Sequence, residues 1–158
     1  ASRGPMTGRK RSASSDTRPL PPRDAVLIDT GFLVALFDRR ERLHTSATTW
    51  LSGERRALWT VPSVVVEAAH FLPGRPRVAL ARAASAGVVH VAVPDAAAYS
   101  RVAVLLERYG TLDPDWADAE LVWLAETAGI ASVATLDSAD FSVYRLHGRR
   151  AFDIVWPR

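Results

Sequence analysis

From Ala25 onward the chain alternates short, wholly apolar runs with longer stretches whose apolar positions recur at helical spacing. Val26–Ile28 reads as a buried strand, Gly31–Phe37 as a helix, and His44–Ser52 as a second helix with Trp50 and Leu51 turned inward. Leu58–Val61 reads as a second strand, stopped by Pro62. Ser63–Leu72 predicts a helix ended by Pro73-Gly74, and Val78–Ala86 another ended by Gly87. Val88–Val93 predicts a third strand. Ala96–Tyr109 and Asp115–Ala128 predict helices closed by Gly110 and Gly129. Ala131–Thr135 is a fourth strand and Phe152–Trp156 a short fifth. Strands that are apolar on both faces and alternate with helices predict an α/β fold, with a parallel sheet of roughly five strands between two helical layers. No repeat at a solenoid period is present.

Composition narrows the chemistry. The 158 residues suffice for one domain, and 48% hydrophobic with 23% charged residues is the balance of a globular chain. No apolar run is long enough to span a bilayer, and the basic N-terminus has no apolar signal core, so a cytoplasmic protein is expected. The absence of cysteine removes disulfides, thiolate nucleophiles and Cys-ligated metals. Lys10 is the only lysine, so the body has no P-loop or Schiff-base lysine. There is no Asn and no Gln. Any polar site must therefore be built from carboxylates, hydroxyls, arginines, histidines and backbone.

Charge divides the chain. Residues 1–23 hold six basic residues against Asp16 alone, whereas in residues 24–158 fourteen arginines face sixteen acids. The first segment reads as a disordered basic tail, because it is Ser/Pro/Arg-rich and cannot bury enough surface to fold. It is either a plain extension or an electrostatic RNA contact. Met6 is the only methionine and reads as the translation start, with residues 1–5 a scar of expression. Residues 24–158 read as the folded domain.

The ligand site of an open parallel sheet lies at the carboxyl ends of its strands. Asp29 directly follows the first strand, and Asp137 lies just past the fourth. Asp115 and Asp118 open a helix, and Glu67 interrupts an otherwise apolar one. Acids gathered from separate segments repel one another, and a divalent cation removes that cost. Oxygen-only ligands fit Mg²⁺ or Mn²⁺, which can activate water and offset charge on a phosphodiester. Plainer roles stand beside this one. Asp29 is equally well placed to cap the next helix. Asp115 reads first as a cap, with Asp118 at the third helical position. Glu67 shares a helical face with Val64, Ala68 and Phe71 and needs a partner unless that face is exposed. Asp113 and Glu120 read as solvated helix-end charges.

Four blocks together resemble the PIN-domain family, and within it the VapC-type toxins of bacterial toxin–antitoxin pairs. They are Val26-Leu27-Ile28-Asp29-Thr30-Gly31-Phe32-Leu33, Pro62-Ser63-Val64-Val65-Val66-Glu67, Asp115-Trp116-Ala117-Asp118-Ala119-Glu120-Leu121-Val122 and Ala134-Thr135-Leu136-Asp137-Ser138-Ala139-Asp140-Phe141. Order and spacing agree over roughly residues 25–157. The resemblance implies a three-layer α/β/α PIN-like fold. It implies Asp29, Glu67 and Asp118 as a metal-binding triad, with Asp137 as a more variable fourth acid. It implies Thr30 as a hydroxyl orienting a carboxylate from outside the ligand shell, and Asp115 and Asp140 as acids flanking the third and fourth ligands. The implied activity is endoribonuclease cleavage of structured RNA (tRNA, rRNA or mRNA) by a water activated on Mg²⁺ or Mn²⁺. The products would carry a 5′-phosphate and a 3′-hydroxyl. The implied partners are a VapB-type antitoxin and a second toxin copy, as a homodimer or a toxin–antitoxin hetero-oligomer. Housekeeping RNA processing and a non-catalytic interaction module are the alternative roles. The basic tail is atypical for this family.

Other motifs lead elsewhere or nowhere. Glu41-x-x-His44 and Glu67-x-x-His70 have di-iron spacing, but Pro62 and the strands interrupt any bundle. Asp113-Pro114-Asp115 lacks the glycine and closing Glu of a calcium loop. A phospho-aspartate at Asp29 would want a second Asp two positions on and a lysine, and has neither. Arg145, Arg149 and Arg150 form a basic cluster, either solvated or contacting phosphate. Arg39, Arg40, Arg42, Arg55 and Arg56 are candidates for a positive rim. Trp50, Trp59 and Trp123 read as core, whereas Trp116 sits inside an acidic block, either packed under a loop or stacked on a base.

Overall fold

The structure, a computed structural model, describes residues 20–157. The expectations for the basic tail lie almost entirely outside the described residues. Five strands form one parallel sheet: β1 (Val26–Ile28), β2 (Leu58–Thr60), β3 (His90–Val91), β4 (Ser132–Ala134) and β7 (Asp153–Trp156), in the order β3-β2-β1-β4-β7. β1 is central and buried on both faces, which is why Val-Leu-Ile carries no polar alternation. The helices are α1 (Thr30–Phe37), α2 (His44–Gly53), α3 (Pro62–Phe71), α4 (Arg75–Ser85), α5 (Ala96–Arg108), α6 (Trp116–Ala128) and α7 (Ser138–Val143). A single 3₁₀ turn, Gly110–Leu112, joins α5 to α6. No helix among the described residues is long and apolar enough to cross a membrane.

The sequence rules place most of these elements. Pro62 sits in the first turn of α3, where its missing N–H costs nothing. α6 closes on Gly129, whose φ of 71° needs a residue without Cβ. Phe32 of α1 packs edge-on against Trp50 and Trp156, at 5.2 and 5.1 Å between centroids, joining α1, α2 and β7 in one core.

Three features depart from expectation. The third strand spans only His90–Val91, because it is a sheet edge whose flanking Val88 and Val93 are exposed. The stretch after β4 forms α7, with Phe141 its only buried residue. A small antiparallel hairpin follows, β5 (Arg145–Leu146) with β6 (Arg150–Ala151). Two-residue strands leave no periodicity to read.

Topology fixes where a site can form. From β1 the chain steps outward through β2 to β3, then returns to the other side of β1 as β4. The strand order reverses between β1 and β4, and ligands of an open α/β sheet bind in the crevice outside the carboxyl ends of the strands at such a point.

Candidate metal centre

Asp29 leaves β1 at that crevice. Its backbone N–H donates to the Ala134 carbonyl of β4 at 3.2 Å, so the two strand ends are locked side by side. The Asp29 carboxylate is buried. Oδ1 accepts the Phe32 N–H at 3.1 Å, capping α1, and Oδ2 accepts the Thr135 hydroxyl. The capping and site readings of Asp29 thus hold in one geometry. Burial pushes its carboxyl up to about 6 against the opposing hydrogen bonds from Thr135, Phe32 and Gly31, with the Asp137 charge adding.

Thr135 also accepts the Asp137 N–H at 2.9 Å. One wholly buried hydroxyl therefore bridges the acid after β1 to the acid after β4. Asp137 caps α7, its Oδ1 accepting the Asp140 N–H at 3.2 Å. Gly31 lies against Leu136: a Cβ at residue 31 would meet that side chain at 3.1 Å, so the two loops approach closely.

Asp115 is the N-cap of α6, accepting the Asp118 N–H at 2.8 Å. Asp118 is half-buried, and its Oδ2 accepts the Tyr144 hydroxyl at 2.9 Å. Burial pushes the Asp118 carboxyl up to about 7. The charges of Asp115, Asp29 and Asp137 add to this and the Tyr144 bond opposes it. The Asp140 carboxyl is also raised, by burial and then by Asp137.

Carboxylate oxygens of Asp118, Asp137 and Asp140 lie within 4.8 Å of one another. Asp29 is close enough to influence Asp118 through its charge. Glu67 is half-buried on α3, and its Oε2 accepts the Thr30 hydroxyl at 2.6 Å. Thr30 directly follows Asp29, so Glu67 is tied to the strand end through a hydroxyl rather than gathered into the close carboxylate group. Asp140, expected only as a flanking acid, is a member of that group, and Asp29 and Glu67, expected as ligands, are not. Such a set offers only hard oxygen donors, with neither His nor Cys, and fits a hard divalent cation. Asp118 and Asp140 within this group, and Asp29 beside it, are held above the ordinary carboxylate range by burial first and by neighbouring acid charges second, and a cation relieves both.

Of the three hydroxyls, only Thr30 was expected, from the family resemblance, and it donates to Glu67. Thr135 was legible only as the end of a strand, and Tyr144 lies between two short elements with no periodic signal. Glu120 corrects an expectation: it is buried rather than solvated, and it accepts Ser63 Oγ at 2.6 Å and Trp116 Nε1 at 2.7 Å. Its partner Ser63 lies 57 residues away, beyond any local pattern. Of the arginines considered for a positive rim, Arg40 and Arg56 are paired with Asp38 and Glu54, while Arg39, Arg42 and Arg55 are exposed. Arg149 and Arg150 are exposed on the β5–β6 hairpin, and Arg145 leads into it directly from Tyr144.

Comparison with known proteins bears on the fold and the family. Over 134 residues the chain is 29% identical to ribonuclease VapC26 of Mycobacterium tuberculosis, covering 82% of this chain and 99% of that relative. Its fold matches the crystal structure of VapC20 of the same organism, a toxin that cleaves the sarcin–ricin loop. The TM-score is 0.71 at 23% identity, covering 80% of this chain and 99% of the other. The model of the PIN domain matches residues 26–145, well over half of the sequence. The chain belongs to the PIN domain family.

Proposed function

We propose that residues 24–158 form a divalent-metal-dependent endoribonuclease, the toxin of a toxin–antitoxin pair. The observation that carries this is the close group of Asp118, Asp137 and Asp140 beside Asp29, at the point where the sheet order reverses. The similarity to ribonuclease VapC26 supports RNA as the substrate.

Asp29, Asp118, Asp137 and Asp140 would hold Mg²⁺ or Mn²⁺, with Glu67 reaching the same edge from α3. When bound, such an ion supplies Lewis acidity that lowers the pKa of water and offsets charge gathering on the phosphate. The protein's part is orientation. Thr135 fixes the Asp29 and Asp137 loops against each other, Tyr144 fixes Asp118, and Thr30 fixes Glu67. Each hydroxyl donor leaves further lone pairs on its carboxylate free to face a cation. Held this way, the acids need little reorganisation when charge develops at phosphorus.

A VapB-type antitoxin is the proposed partner, with a toxin homodimer or a toxin–antitoxin hetero-oligomer as the assembly and the cytoplasm as its place. The test is cleavage of a pooled tRNA and rRNA preparation by the purified protein in Mg²⁺ or Mn²⁺, beside EDTA and Asp118→Asn. Discrete fragments that vanish in both controls are expected. Fragments that persist with Asp118→Asn would refute the assignment.

A further inference from the structure

Trp116 opens α6 between the capping Asp115 and the clustered Asp118, and it is 51% exposed. An indole at a protein surface ordinarily points its N–H toward water and its hydrocarbon inward. Trp116 does the reverse. Its Nε1–H donates to Glu120 Oε1 at 2.7 Å, and Glu120 is only 3% exposed. The other Glu120 oxygen accepts Ser63 Oγ at 2.6 Å. A buried carboxylate is costly unless its oxygens are hydrogen-bonded, and the two bonds that satisfy this one also pin the polar edge of an exposed ring. The apolar surface of the ring is left toward solvent.

Tyr99 of α5 stands beside it, 44% exposed, with ring centroids 6.0 Å apart and planes tilted by 39°. The supports come from the helices that carry site acids. Ser63 is one turn before Glu67 on α3, and Trp116 is two residues before Asp118 on α6. A fixed, half-exposed aromatic surface thus stands at the same end of α6 as Asp118, a member of a group suited to phosphodiester chemistry. Unpaired RNA bases are recognised by stacking on such rings, whereas bases within a helix are not available to them.

We propose that Trp116, with Tyr99 beside it and held by Glu120 and Ser63, is a stacking platform for an unpaired nucleobase of the RNA substrate. This rests on the ribonuclease reading and deepens it: the scissile bond would lie next to a splayed base, in a loop or bulge rather than within a duplex.

The experiment measures binding of a stem–loop RNA in EDTA, where no cleavage occurs, with a single abasic site moved through the loop. Wild type and Trp116→Ala are compared, with Trp116→Phe retaining a ring to stack. Trp116→Ala should weaken binding about 5- to 100-fold, with Trp116→Phe keeping most of the affinity. At one loop position the abasic change should weaken wild type to a similar degree and Trp116→Ala hardly at all. Unchanged affinity in Trp116→Ala, or equal abasic penalties in both proteins at every position, overturns the platform alone. Wild type that binds no stem–loop RNA overturns the platform, and failure of the pooled-RNA cleavage in Mg²⁺ and Mn²⁺ overturns the ribonuclease reading and the platform with it. Thermal unfolding of each variant, together with Trp116→Phe, separates a lost platform from a lost fold.

Discussion

Replacing Thr135 with Val keeps shape and volume while removing the hydroxyl that joins Asp29 to Asp137. Thr135 is fully buried, so no water takes its place readily. Two groups are left without a partner, Asp29 Oδ2 and the Asp137 N–H. A buried polar group in that state costs about 1–3 kcal/mol, and Asp137 is exposed enough to find water, so the main penalty falls on Asp29. Destabilisation of about 2 kcal/mol is expected, or roughly 4–8 °C in Tm for a chain of this size.

Proton linkage sharpens the prediction. The Asp29 carboxyl is raised from 3.8 to about 6 in the folded protein. Stability from the protonated form is complete below the ordinary carboxylate pKa and is lost as pH rises through the folded one. In metal-free wild type that loss totals about 3 kcal/mol, most of it between pH 4 and pH 7. The Thr135 bond lowers this pKa, so Thr135→Val raises it further and extends the loss to higher pH. Urea unfolding in EDTA at pH 5 and pH 8 measures both parts of this effect. The variant should fall short of wild type by more at pH 8 than at pH 5. An equal deficit at the two pH values would refute the reasoning that the hydroxyl acts through the Asp29 carboxylate.

Three further outcomes are expected. Tyr144→Phe removes the donor that lowers the Asp118 pKa, so the acid limb of the pH–rate profile should move upward, and Mn²⁺ affinity by calorimetry should fall about 10- to 100-fold. Glu126 is held below the usual carboxylate range: burial would raise it, but the bidentate Arg101 guanidinium and the His147 N–H outweigh that. Glu126→Gln should therefore cost about 1–3 kcal/mol at pH 7 by urea unfolding, and the difference from wild type should shrink as pH falls through the folded pKa of Glu126. Arg149→Glu combined with Arg150→Glu should weaken RNA binding and flatten its salt dependence, by about one unit of slope for each phosphate no longer neutralised, measured by anisotropy across a salt series.

What the chain disclosed depended on the range of each signal. The Val26–Ile28 run, the Pro62 start of α3 and the Gly129 stop of α6 are local, and the elements they mark stand where the pattern puts them. The parallel sheet followed from strands too apolar to face water. α7 and the hairpin after it are too short to carry a period, so the basic turn beside Tyr144 was invisible as structure. In the site, Asp29, Asp118 and Asp137 were legible because strand ends and helix starts are where a parallel sheet gathers ligands. Asp140 in the close group, the Thr135 bridge and the burial of Glu120 all depend on neighbours brought together across the fold. A charge on a helix ordinarily faces solvent, and only the distant Ser63 hydroxyl and the Trp116 Nε1–H make the burial of Glu120 tolerable.

The most direct test of the metal centre is an anomalous difference map from crystals soaked in Mn²⁺. A peak is expected among the carboxylates of Asp118, Asp137 and Asp140 beside Asp29, and its loss in Asp118→Asn. A map with no peak at that crevice, or with Mn²⁺ held only elsewhere on the surface, would contradict it.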